Sequence, residues 1–267
     1  PIRLGQELSG YAAQARLGRE HVAASCEGLR ELPIGGTAVG TGLNTHPEFG
    51  GRVAAALGAA TGSRFVEAAN HFEAQAARDA AVRASGAMRA VAVSLIKIAD
   101  DVRWLASGPR LGLGEIRIPA VQPGSSIMPG KVNPVIAEAA IQAGAQVVGN
   151  DAAIAVGGML SPLDLNVMQP LIARNLLESI ELLAAGARVL AGELGEGVEA
   201  NREHLASQVE RSLSLATALA PALGYDEAAR IAKRAADEGR TVREIAQEER
   251  ALDPEKLARL LDPRAQT

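Results

Sequence analysis

From Ala74 onward an apolar residue recurs at alternating spacings of three and four: Ala77, Ala81, Ala84, Met88, Val91, Leu95, Ile98, Val102 and Leu105. That period fits one face of an α-helix; a strand would repeat every second residue. The stripe predicts a single helix of about 50 Å at 1.5 Å per residue, with a seam able to pack along another helix for its whole length. The first half of the seam is alanine. Small side chains let neighbouring backbones approach closely, so the stripe suits the interior of a crowded helical bundle.

Two further long helices are expected. One runs from Pro170 to Gly192, with Leu176, Leu177, Ile180, Leu183 and Leu190 on one face and Gly192 placed to stop it. The other runs from Pro134 to Val156, with Pro134 suited to a helix's first turn. An earlier helix, from Leu4 to Arg30, ends at the break Leu32-Pro33-Ile34-Gly35-Gly36. After Gly195 the pattern changes to short helices separated by Pro221, Gly224, Gly239, Pro254 and Pro263. The expected organisation is therefore a helical-bundle domain over residues 1–194 and a small helical domain over 195–267. The Glu115–Ile118 stretch alternates like a strand but is too short to build a sheet.

Composition agrees with an all-α protein. Hydrophobic residues make up 48% of the 267-residue chain while aromatics are only 2%, so alanine and leucine, both strong helix formers, must fill the core. The net charge of -4 is spread without blocks of like charge, which argues against nucleic acid or an anionic membrane as a partner. Cys26 is the only cysteine, so no intrachain disulfide and no cysteine-rich metal site can form. With no apolar run of about 20 residues, the expectation is a soluble, cytoplasmic protein.

One segment carries chemistry: Gly124-Ser125-Ser126-Ile127-Met128-Pro129-Gly130-Lys131-Val132-Asn133-Pro134. Its glycines permit backbone shapes other residues resist and can turn successive N–H groups toward one point, where an anion would be held. Lys131, one of only four lysines, adds a full positive charge, and Asn133 adds a directed amide donor. A helix starting at Pro134 adds its positive dipole end. A dicarboxylate would suit such a loop.

The loop also matches, at each specified position, the signature Gly-Ser-Ser-x-Met-Pro-x-Lys-x-Asn of the fumarase/aspartase superfamily. The resemblance covers the whole chain, through Leu4-Gly5-Gln6-Glu7, Gly35 to Pro47, Asn150-Asp151 and Leu165-Asn166-Val167. Gly36 and Gly130 resemble class II fumarases, since aspartases typically carry alanine at both positions. Tyr225-Asp226 and the alanine-rich stretch after it resemble the fumarase C-terminal domain. Two departures stand out: Ser161-Pro162-Leu163-Asp164-Leu165-Asn166 where fumarases commonly read Gly-Asn-Phe-Glu-Leu-Asn, and His71 where a lysine is common.

The resemblance implies a long central bundle plus a small C-terminal helical domain, and an enzyme that hydrates fumarate to L-malate with no metal or organic cofactor. It implies that Ser125 removes the C3 proton of malate as an alkoxide, through an aci-carboxylate intermediate. Ser126, Lys131, Val132 and Asn133 fall at substrate-binding positions, and Glu138 matches a glutamate that pairs with a catalytic histidine. That histidine and the N-terminal domain belong to a segment expected before Pro1; His21, His46, His71 and His204 are not convincing substitutes. The family works as a homotetramer with sites shared among subunits. The other readings are an aspartase-like ammonia-lyase and a catalytically incomplete helical scaffold.

Overall fold

The computed structural model describes residues 1–192, 194 and 197–267. The fold is all-α. Contacts divide the chain into two compact units, one of residues 12–103 and 120–196, the other of residues 1–11, 104–119 and 197–267. The pattern change expected at Gly195 lies outside the described residues, and the boundary at 194/195 stays a proposal.

In the larger unit, four long helices bring their small faces together: α1 (Leu4–Ser25), α4 (Asp79–Leu105), α5 (Val135–Met159) and α6 (Gln169–Gly192). Val22 of α1, Met88 and Ala92 of α4, Val147 of α5 and Leu183 of α6 share one core cluster. The approach is close because the contacts are small. A Cβ added at Gly144 of α5 would sit 2.6 Å from Ile96 of α4, and one at Gly157 would sit 2.9 Å from Ile172 of α6. Each added methylene in such a packed interior would force neighbours off their rotamers.

Between α1 and α4 the chain forms β1 (Glu31–Leu32), α2 (Phe49–Thr61), β2 (Val66–Glu67) and α3 (His71–Ala76). β1 and β2 pair in parallel, Glu31 opposite Val66 and Leu32 opposite Glu67. In the smaller unit β3 (Ile116–Arg117) pairs antiparallel with β4 (Glu199–Ala200). Both ladders are two residues long, below what alternation in a sequence can reveal.

Three expectations need correction. The alanine stripe is not one helix: Ala77 is extended, with ψ 162°, and divides α3 from a 27-residue α4 of about 40 Å. The first helix stops at Ser25, and Gly28–Arg30 form a separate 3-10 turn. On α6, Leu183 and Leu190 are buried, but Leu177 is 61% exposed and Ile180 49% exposed, so the expected single apolar face is two.

The smaller unit contains α7 (Arg202–Arg211), α8 (Ala220–Leu223), α9 (Tyr225–Glu238), α10 (Val242–Glu248) and α11 (Pro254–Leu260). Leu215, Leu219, Ile231, Ile245, Leu257 and Leu261 are fully buried in its core. Pro221 starts α8 rather than breaking a helix. Gly239, in the left-handed region at φ 65°, ends α9, and Thr241 with Glu244 forms a capping box that starts α10.

Candidate active site

The loop before α5 is tied at both ends by hydrogen bonds within the loop. The Gly124 N–H donates to the Lys131 carbonyl at 3.1 Å, and the Asn133 side-chain amide donates to the Gly124 carbonyl at 2.7 Å. These two bonds close residues 124–133 into a ring. Gly124 is required by proximity: a Cβ there would lie 2.2 Å from the Lys131 carbonyl oxygen. Gly130 is required by conformation, at φ 77°, with nothing within 4 Å of an added Cβ.

Within the ring, the Ser125 hydroxyl oxygen accepts the backbone N–H groups of Ile127 at 3.2 Å and Met128 at 3.1 Å. This is a serine turn. It also changes the expected picture, because these converging N–H donors point at Ser125 Oγ rather than at an external anion. Two donors on a hydroxyl oxygen favour its ionised form, as hydrogen bonding to any anionic group does.

Ser125, Lys131 and Val132 line one open depression of about 390 Å³, together with Val121, Met128 and Gly130. Asn133 reaches it through its bond to Gly124. Ser126 is exposed and Glu138 lies in the first turn of α5; neither is among the residues lining the depression. Pro134 occupies the N-cap of α5, one residue earlier than its expected place, so Lys131 to Asn133 directly precede the helix's positive end.

The four histidines are spread over the chain. His21 is exposed on α1. His46 Nδ1 accepts the Glu48 N–H at 3.2 Å. His71, at the start of α3, places Nε2 3.1 Å from both the Ile34 carbonyl and Glu67 Oε1. His204 Nε2 lies 2.7 Å from the Leu113 carbonyl. Among the described residues, no group of three or more His, Cys, Asp or Glu side chains is placed to hold a metal ion, and no helix is long and apolar enough to cross a membrane.

Two polar features have partners that the sequence does not show. Asp151 on α5 is buried, accepting from Ser85 at 2.7 Å and Arg89 at 2.8 Å, both on α4. Gln75 and Arg78, at the break between α3 and α4, keep buried atoms without partners. Each looks like an ordinary helix position until its neighbours are known.

Family models for "Lyase" and for "Fumarase C C-terminus" match residues 1–149 and 215–267. The chain is 55% identical over 258 residues to the class II fumarate hydratase of Corynebacterium efficiens, covering 96% of this chain and 54% of that protein. It is 57% identical over 245 residues to that of Mycobacterium tuberculosis, covering 91% of this chain and 52% of that protein. The crystal structure of a class II fumarase from Schistosoma mansoni superposes with a TM-score of 0.93 at 36% identity, over 98% of this chain and 58% of that one. The chain thus spans about half the length of the curated relatives it matches, and it belongs to the class II fumarase family of lyases.

Proposed function

We propose that this chain contributes the serine loop of a fumarate hydratase, which adds water across the double bond of fumarate in the anti sense to give L-malate. In the reverse direction, the Ser125 alkoxide takes the C3 proton of malate and becomes a neutral hydroxyl. The electron pair left on C3 delocalises into the adjacent carboxylate as an aci-carboxylate, and the C2 hydroxyl then leaves as water once protonated. Lys131, Asn133, Ser126 and the Val132 backbone are the proposed binders of the dicarboxylate. Glu138 is the proposed partner of the histidine that protonates the leaving hydroxyl through a water molecule. No metal or organic cofactor takes part in this scheme. The working form is a cytoplasmic homotetramer.

The observation that carries this reading is the pair of backbone N–H groups on Ser125 Oγ, beside Lys131 in the same depression. A serine is a poor base at its usual pKa, and donors already aimed at the developing charge are what such a base needs. The homology to class II fumarate hydratases supports the substrate. The discriminating test is ultraviolet detection of fumarate formed from L-malate or from L-aspartate, with the full-length protein that carries this chain. Fumarate should form from malate. Consumption of aspartate alone would replace the hydratase with an ammonia-lyase, and consumption of neither would favour the scaffold.

A further inference from the structure

A second depression in the larger unit, also of about 390 Å³, has mainly apolar walls from Leu32, Ile34, Phe49, Val53, Leu57 and Leu165. Its polar lining is Gln75, Arg78 and Gln169, with Thr37 on the adjoining loop. Gln75 is 6% exposed. Its amide nitrogen donates to the carbonyls of Thr37 at 3.0 Å and Ala38 at 3.3 Å, which fixes the amide's orientation and leaves Oε1 buried without a donor. Arg78 sends Nη2 to the Gln75 carbonyl at 3.4 Å, while its Nε is buried with no acceptor. Among the described residues Arg78 enters no ion pair. Burial pushes its pKa below the ordinary guanidinium value, and the charge of Glu73 offsets only part of this. Thr37, a β-branched residue, is held at φ 54°, in the left-handed region such residues avoid.

An unmatched buried acceptor and an unmatched buried donor are both costly, and here they belong to two side chains on the wall of one cavity. The cavity has the size and apolar character of a small-molecule site with a few orienting polar groups. We propose that it binds a small monocarboxylic acid with a branched apolar arm and a hydrogen-bond donor beside the carboxylate. The carboxylate meets Arg78, the donor meets Gln75 Oε1, and the arm lies against Phe49, Val53 and Leu57. Engaging Oε1 draws the Gln75 amide off the Thr37 and Ala38 carbonyls, and rotation about the terminal torsions of Arg78 turns its guanidinium toward the carboxylate. A dicarboxylate does not fit this pattern, because its second charge would face apolar wall. The proposal stands independently of the hydratase reading.

The test uses 2-hydroxy-4-methylpentanoate, titrated into the whole chain with isotope-labelled leucine and valine methyls. Saturable shifts are expected at Leu32, Val53, Leu57 and Leu165 at roughly millimolar acid. Binding should be about tenfold weaker for 4-methylpentanoate, which lacks the hydroxyl. Arg78→Met should abolish the shifts, and Gln75→Leu should bind the two acids equally. Absence of shifts at these methyls overturns the proposal, as does equal affinity of the unaltered chain for both acids, or an equal response to L-malate. These last arms need no substitution, so they decide the matter even if a variant fails to fold.

Discussion

Gly124 and Gly130 bracket the same loop, yet the chain needs them for different reasons. Gly124→Ala must displace backbone, since its Cβ would meet the Lys131 carbonyl at 2.2 Å. It should cost about 1–3 kcal/mol in urea unfolding and open the ring around Ser125. Gly130→Ala meets nothing and should cost about 1 kcal/mol, the conformational penalty of a left-handed residue. Equal costs would mean that the ring is not closed by the Gly124–Lys131 hydrogen bond. At this scale the sequence was legible where chemistry is concentrated: glycine, hydroxyl, lysine and amide within one loop signal a site. It did not reveal that the loop's N–H groups turn inward onto Ser125. Nor did it mark Gln75 and Arg78, because an unmatched atom is a property of neighbours distant in sequence.

Among the elements, α9 and α10 are joined by an ion network as well as by their core. Arg230 pairs with Glu227 and Glu249, Arg234 with Glu238, Glu248 and Glu249, and Arg240 with Glu238 and Glu248. Hydrogen bonds from Arg230 and then Arg234 hold the Glu249 carboxyl down to about 2, against an ordinary 4.5. A carboxylate with a lowered folded-state pKa stabilises the fold above its ordinary pKa and loses that contribution as pH falls toward the lowered value. Glu249→Gln should therefore lower the unfolding midpoint at neutral pH, with the difference shrinking between pH 4.5 and about 2. A difference independent of pH would contradict the network. Two other changes calibrate the unit: Thr241→Ala should cost about 1 kcal/mol through the lost cap, and Leu257→Ala about 2–5 kcal/mol through a core cavity. The long helices were readable because period alone defines them. The break at Ala77 was not, since alanine fits the stripe in either conformation. The two-residue ladders were too short to show alternation.

For the molecule as a whole, α4, α5 and α6 leave several apolar residues exposed. Val93, Val156, Met159, Leu177, Ile180 and Val189 are all at least 43% exposed. In the proposed homotetramer these faces are covered by other subunits, so Leu177→Glu with Ile180→Glu should shift sedimentation toward smaller species. An unchanged sedimentation coefficient would place the assembly contacts elsewhere. The claim beneath all of this is that one hydroxyl, held by two amide donors, strips hydrogen from a carbon acid. The direct measurement is malate turnover by the full-length protein carrying Ser125→Ala, with its oligomeric state checked by sedimentation. Turnover should disappear while the oligomer persists; turnover equal to that of the unaltered protein would rule out Ser125 as the base.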